Sequence, residues 1–178
     1  MSKDGVSGWE DLSKYGLDTA DEQKLLATQH ECTFIWTNKQ GHPLGAIVNY
    51  IERDGHLWLT ATSMRPRVAA VRADPRVSVT ISSKGSGITA RQSITVKGTC
   101  VVHDDEATKE WFFPAFSTAL RPGEPERAAE FARLLNSEHR VILEVVPIGT
   151  TRFDGAKMWQ AAPSGAPTEG EEGFTAAP

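Results

Sequence analysis

The feature that most restricts this chain is a series of short β-branched segments cut by turn residues at close intervals. RVSVTISS (76–83) alternates cleanly, and HLWLTAT (56–62) sets Leu57 and Leu59 on one face with Trp58 and Thr60 on the other. A period of two gives each such strand a core face and an opposite face. CTFIWTN (32–38), PLGAIVNYIE (43–52), RQSITVKGTCVVH (91–103) and HRVILEVVPI (139–148) are also rich in β-formers. KQGHP (39–43) and Arg53-Asp54-Gly55 supply turns, so the first three strands run antiparallel. TTRFDGAKMWQ (150–160) reads as a final extended pair around an Asp154-Gly155 turn.

Short helices punctuate this pattern. DEQKLLATQH opens one at Asp21, and RPRVAAVRAD (65–74) places Val68, Val71 and Arg72 at i, i+3 and i+4 before the Asp74-Pro75 break. DDEATKEWFFPAF (104–116) has an acidic first turn and is interrupted by Pro114, while EPERAAEFARLLN (124–136) forms another helix. Gly98, inside a strand, marks a bulge or the close approach of another backbone. The predicted fold is mainly β with inserted helices: an antiparallel barrel of six to seven strands rather than a doubly wound sheet. Its domain spans residues 21–162, after an N-terminal extension (1–20) and before a Pro-, Gly- and Glu-rich tail (163–178) expected to be disordered.

Composition narrows the function. With 178 residues, 39% of them apolar, the chain can bury one sizeable core. Nineteen Lys plus Arg against 23 Asp plus Glu leave a net charge of -4, with no global attraction to nucleic acid or anionic membrane. Apolar runs are strand-sized, far below the roughly 20 residues of a membrane span, and the N-terminus lacks a secretory stretch; a soluble, cytoplasmic protein is expected. Cys32 and Cys100 lie far apart without CxxC spacing and read as small core residues. The five histidines are scattered, with no HExxH motif, GxSxG elbow, Walker loop or Rossmann glycine pattern, so no metal site is expected. His103-Asp104-Asp105-Glu106 reads as an acidic helix start rather than a cation site.

The densest chemical signal is TATSMRPRVAAVRADPRVSV (60–79). Hydroxyls of Thr60, Thr62 and Ser63 precede Arg65 and Arg67 where a strand meets a helix N-terminus. Free N–H groups and guanidinium forks there suit a phosphate; alternatively the arginines solvate the helix and pair with Asp74 or Glu52. Arg65, Arg67, Arg72 and Arg76 form a local basic cluster sized for one phosphate. Trp36, Trp58 and Trp111 read as packing aromatics, and WFFPAF (111–116) as core, dimer packing or a pocket wall.

The order of these pieces carries a family likeness. Asp54-Gly55, the strand from Leu57 to Thr62, Arg65 to Arg67, Asp74-Pro75-Arg76-Val77-Ser78, Val96-Lys97-Gly98 and Lys157-Met158-Trp159-Gln160 together resemble the pyridoxamine 5′-phosphate oxidase-like flavin-binding split-barrel family. The resemblance implies a homodimer with two FMN sites at its interface. Ala46, Ile47, Val48 and Asn49 would flank the isoalloxazine, with Thr60, Ala61 and Thr62 also in the cofactor-binding set. Arg65 and Arg67 would hold the phosphate, either Gln92 or Ser93 would meet the ring, and Trp159 would come from the partner subunit.

The chain departs from that pattern in three places. Arg67 stands where the family commonly has Lys, after Pro66 and a one-residue insertion; Asn49 replaces a basic residue; and AAPSGAPTEG after Trp159-Gln160 lacks the Arg and His of true pyridoxamine phosphate oxidases. Oxidation of a vitamin B6 phosphate is therefore not expected. The resemblance implies an FMN-dependent oxidoreductase passing hydride between NAD(P)H or a small organic substrate and an acceptor. Because the flavin carries the redox chemistry, no catalytic side chain is named. The alternatives are a coenzyme F-420-dependent reductase on the same fold and a non-catalytic split barrel binding flavin or haem.

Overall fold

The computed structural model describes residues 8–162. The expected tail (163–178) and the first seven residues of the extension lie outside them. Six strands form: β1 (Glu31–Thr37), β2 (Pro43–Arg53), β3 (His56–Thr62), β4 (Arg76–Ser82), β5 (Gln92–His103) and β6 (Arg140–Asp154). Their hydrogen-bonded order, β1-β2-β3-β6-β5-β4, closes an antiparallel barrel. Helix α1 (Thr19–Thr28) precedes them, and α2 (Pro66–Ala73), α3 (Glu106–Leu120), α4 (Pro125–Leu135) and α5 (Gly155–Gln160) are inserted between or after them. No helix among the described residues is long and apolar enough to cross a membrane.

The chain divides into two compact units. One comprises His30–Thr80 and Val96–Gly149. Within it the period-two pattern of β3 buries Leu57, Leu59 and Ala61, and α2 buries Val68 and Val71 as its apolar spacing requires. Helix α3 runs unbroken through Pro114, contrary to the interruption expected there. An interior proline costs about 3 kcal/mol. Against that, Phe112, Phe113 and Phe116 are buried with Ile51, Leu135 and Ile142, and each such side chain contributes about 1.5–3 kcal/mol. The packed face outweighs the lost hydrogen bond. Cys32 and Cys100 are free and buried, and desolvation pushes each thiol up to about 12, which keeps them protonated and inert.

Gly98 has the close approach its position suggested. A Cβ there would lie 2.5 Å from the Val146 carbonyl oxygen and 2.8 Å from Val145 Cγ1. A backbone oxygen in a strand cannot move aside, so Gly98→Ala should destabilise the fold by about 1–3 kcal/mol through overpacking. Urea melts of the variant and the parent check this; identical midpoints would refute it.

The second unit comprises the described residues up to Gln29, Ile81–Thr95 and those from Thr150 onward. Tyr15 and Leu17 are buried here, and the Asp154 N–H donates to the Tyr15 carbonyl at 2.7 Å. Helix α1 begins at Thr19 rather than Asp21, because the Asp18 carboxylate is the cap and accepts from the Asp21 N–H at 2.9 Å. The expected extended pair at 150–160 is also corrected. The β6 strand continues to Asp154, whose carboxylate accepts from the N–H groups of Ala156 (2.9 Å) and Lys157 (3.2 Å) and so starts α5 instead of a hairpin.

Candidate functional site

The barrel opens along β2. Its first part, Pro43 to Asn49, pairs with β1 from Thr37↔Pro43 to Glu31↔Asn49, whereas its ladder with β3 runs from Tyr50↔Leu59 to Arg53↔His56. Thr60, Ala61 and Thr62 of β3 pair instead with Ile142, Val141 and Arg140 of β6. The two strands part at Tyr50, so residues 46–49 have no strand partner on the β3 side among the described residues. Backbone donors and acceptors on that edge remain available to a ligand.

The side chains around this edge are mixed in character. Ile47 is 68% exposed and Leu44 is 42% exposed, large values for apolar strand residues. Ala46 and Val48 are half-buried; Asn49 is exposed and its Nδ2 donates to the His30 carbonyl at 3.1 Å. Across the opening, Thr60 Oγ1 donates to the Val141 carbonyl at 2.9 Å, Ala61 is buried and Thr62 is half-buried.

Positive charge gathers at the end of β3. Thr62 sits opposite Arg140, the Ser63 N–H donates to the His139 carbonyl at 2.7 Å, and the Arg65 N–H donates back to the Thr62 carbonyl at 3.0 Å. This turn leads into α2 with Arg65 as its N-cap, a residue with no oxygen for capping, and Pro66 at the first position. Arg65, Arg67 and Arg140 have no carboxylate within ion-pair distance among the described residues. Burial, then the charges of Arg65 and Arg140, lowers the pKa of Arg67; burial, then Arg65, lowers that of Arg140. Arginine side chains stay cationic at neutral pH. Like charges withdrawn from water repel, and an anion with several oxygens is the group that would relieve them.

The basic cluster expected from the sequence is thereby corrected in membership. Arg76 is engaged by Asp74 through two contacts of 2.9 and 2.7 Å, and Arg72 approaches Asp104 at 3.5 Å. Arg140 takes their place. Nothing in its own segment marked it; only the β3–β6 register brings it to Thr62.

Gln92, Ser93 and Trp159 belong to the second compact unit. Gln92 is buried, with its N–H donating to Ser83 Oγ at 3.0 Å and its carbonyl accepting from the Ser83 N–H at 2.9 Å; Ser93 is half-buried. Trp159, on α5, stacks on Trp9 with ring centroids 5.8 Å apart.

Two further features of the first unit hold none of the expected site residues. Glu144 accepts from His56 Nδ1 at 2.6 Å and His103 Nε2 at 2.7 Å, an arrangement the scattered histidines did not suggest. Asp105, two residues after His103, caps α3 by accepting from the Thr108 N–H at 2.9 Å, in keeping with an acidic helix start. A groove of about 640 Å³ between α3 and α4 is lined by Pro114, Thr118, Ala128, Ala129 and Ala132, flanked by Arg121.

A closed antiparallel barrel whose second strand leaves its neighbour beside an arginine-lined turn defines a split-barrel protein. The family model described as Pyridoxamine 5'-phosphate oxidase matches residues 19–143, and the chain belongs to that family. No curated protein matches it. Among solved structures it is similar to a conserved hypothetical protein from Mycobacterium tuberculosis (TM-score 0.69, 18% identity, covering 81% of this chain and 89% of that one). It is also similar to a FAD-binding protein from Mesorhizobium loti (TM-score 0.57, 18% identity, 78% and 95% covered) and to an F420 reductase (TM-score 0.50, 15% identity, 72% and 94% covered). At these identities the likeness is one of fold.

Proposed function

We propose that this chain binds FMN at the opening of the barrel and serves as a flavin-dependent oxidoreductase, acting as a homodimer. The observation that carries this reading is the set of three guanidiniums that, among the described residues, have no carboxylate partner, in the same compact unit as a strand edge that no described strand pairs with. The residues present fit the cofactor at both ends. Arg65, Arg67 and Arg140 would hold the phosphate, and the backbone of residues 46–49 would meet the polar edge of the ring. Bound FMN supplies hydride transfer, taking electrons from NAD(P)H or a small organic substrate and passing them to an acceptor. The chain binds, orients and shields it from water.

Exposed Ile47 and Leu44 support the dimer, because apolar side chains on an open strand edge are suited to burial against a second copy. In a dimer, Trp159 of one copy would reach the site of the other, as the family resemblance implies. Native mass spectrometry of protein from its own host should read a dimer carrying FMN. Added FMN should lose fluorescence and travel with the protein, and NADH, NADPH or a candidate substrate should bleach the bound flavin in stopped flow. Unchanged FMN fluorescence and mobility would sink the cofactor assignment. Binding without reduction by any donor would favour a flavin carrier.

Arg67→Ala should weaken FMN roughly 10- to 100-fold by removing a charge-assisted phosphate contact. Stability should change by less than about 1 kcal/mol, since no core volume is lost. An unchanged affinity alongside a collapsed melting temperature would make Arg67 a structural residue.

A further inference from the structure

We propose that Arg140 makes the site selective for a terminal phosphate monoester over a phosphodiester, an inference that rests on the FMN reading for the identity of the bound molecule. The fold joins three arginines from two separate elements. Arg65 and Arg67 come from the start of α2, while Arg140 comes from the first position of β6, where it faces Thr62 across the ladder. The turn between is tied on both sides by the Ser63 to His139 and Arg65 to Thr62 backbone bonds. Glu138, two residues before Arg140 in sequence, lies 3.3 Å from His139 Nε2, and no carboxylate reaches the three guanidiniums within ion-pair distance among the described residues.

The number of positive charges is informative about the ligand. A phosphate monoester presents three terminal oxygens and close to two negative charges at neutral pH, with its second ionisation near pH 6. A phosphodiester presents two free oxygens and one charge on each phosphorus. Two guanidinium forks already cover the two free oxygens of a diester phosphate and exceed its single charge. A third, half-withdrawn from water and with no acid partner among the described residues, is matched by the additional oxygen and charge that a monoester carries on the same phosphorus. Arg140 is thus the residue that distinguishes FMN from cofactors carried on a diester.

The test compares the full-length parent with Arg140→Gln, Arg140→Lys and Arg67→Gln at fixed ionic strength, with folding checked by circular dichroism. FMN, riboflavin and FAD are titrated by fluorescence, and melting temperatures are read with inorganic phosphate and dimethyl phosphate. Arg140→Gln should bind FMN roughly 10- to 100-fold more weakly, leave riboflavin unchanged, and lower FAD affinity less than FMN affinity. Arg140→Lys should recover part of the loss. FMN affinity of the parent should fall as pH drops through about 6, and this dependence should flatten in Arg140→Gln. If Arg140→Gln binds FMN like the parent while Arg67→Gln does not, the selectivity proposal is overturned and the FMN reading stands. If the parent binds no FMN, that reading fails, and the phosphate arm decides Arg140. A larger thermal shift with inorganic phosphate than with dimethyl phosphate, lost in Arg140→Gln, upholds the monoester preference; equal or absent shifts overturn it.

Discussion

Phe112→Ala should destabilise the fold by about 3–5 kcal/mol, the largest loss expected from any single change considered for this chain. Phe112 is fully buried in α3. It stacks on Phe116 with centroids 5.1 Å apart and meets Trp111 and Phe113 edge-on at 5.7 and 5.5 Å. Its removal deletes transfer energy, leaves a cavity among rings that cannot collapse freely, and breaks three aromatic contacts. It also weakens the packing that keeps α3 helical across Pro114. Denaturant unfolding followed by tryptophan fluorescence measures the effect; a loss below about 1 kcal/mol would show that the helix packs far more loosely than described.

Glu144→Ala should cost about 3 kcal/mol or more. The carboxylate sits on β6 opposite Trp58, with its side chain only 14% exposed, and its two oxygens accept from histidines on β3 and β5. Each hydrogen bond to a charged group is worth about 1.5–3 kcal/mol. Alanine removes both at once and leaves two half-buried rings without their acceptor. Glu144→Gln retains one acceptor oxygen, so it should cost about half as much. Equal unfolding midpoints for parent and Glu144→Ala would refute the argument; a Gln variant as damaged as the Ala variant would place the energy in charge rather than in hydrogen-bond count.

The contrast between the two α3 and α5 regions shows which parts of the fold were legible. In β3 and β4, alternation alone identified the strands, because one face is buried and the period is unmistakable. In α3 the local signal of Pro114 was real, but three phenylalanines on one packed face overrode it, a tertiary effect no window of sequence contains. At Asp154-Gly155 the residues of a hairpin turn are also those of a capped helix start. The choice was made by the Asp154 carboxylate reaching Ala156 and Lys157, and by Gly155 lying so close to the Arg91 carbonyl that a Cβ would be 2.9 Å from it.

The candidate site divides in the same way. Arg65 and Arg67 were visible because strand, turn and helix are consecutive there, and residues 46–49 because the family likeness pointed to them. Arg72 and Arg76 were nearby in sequence and looked equivalent. Their charges are answered by Asp104 and Asp74, and only coordinates distinguish an arginine with an acid from one without. Arg140 needed the β3–β6 register, which depends on the whole barrel closing.

The parting of β2 from β3 has a consequence for the chain's behaviour in a crowded solution. A strand with a free edge and outward Leu44 and Ile47 offers any other extended segment a template on which to polymerise. Pro43, which has no amide hydrogen, blunts one end of that template but leaves the remainder adhesive. The surface suited to recognition is therefore also a colloidal weakness. Whatever covers it, cofactor or second copy, would protect the protein from aggregation as well as equip it for its task.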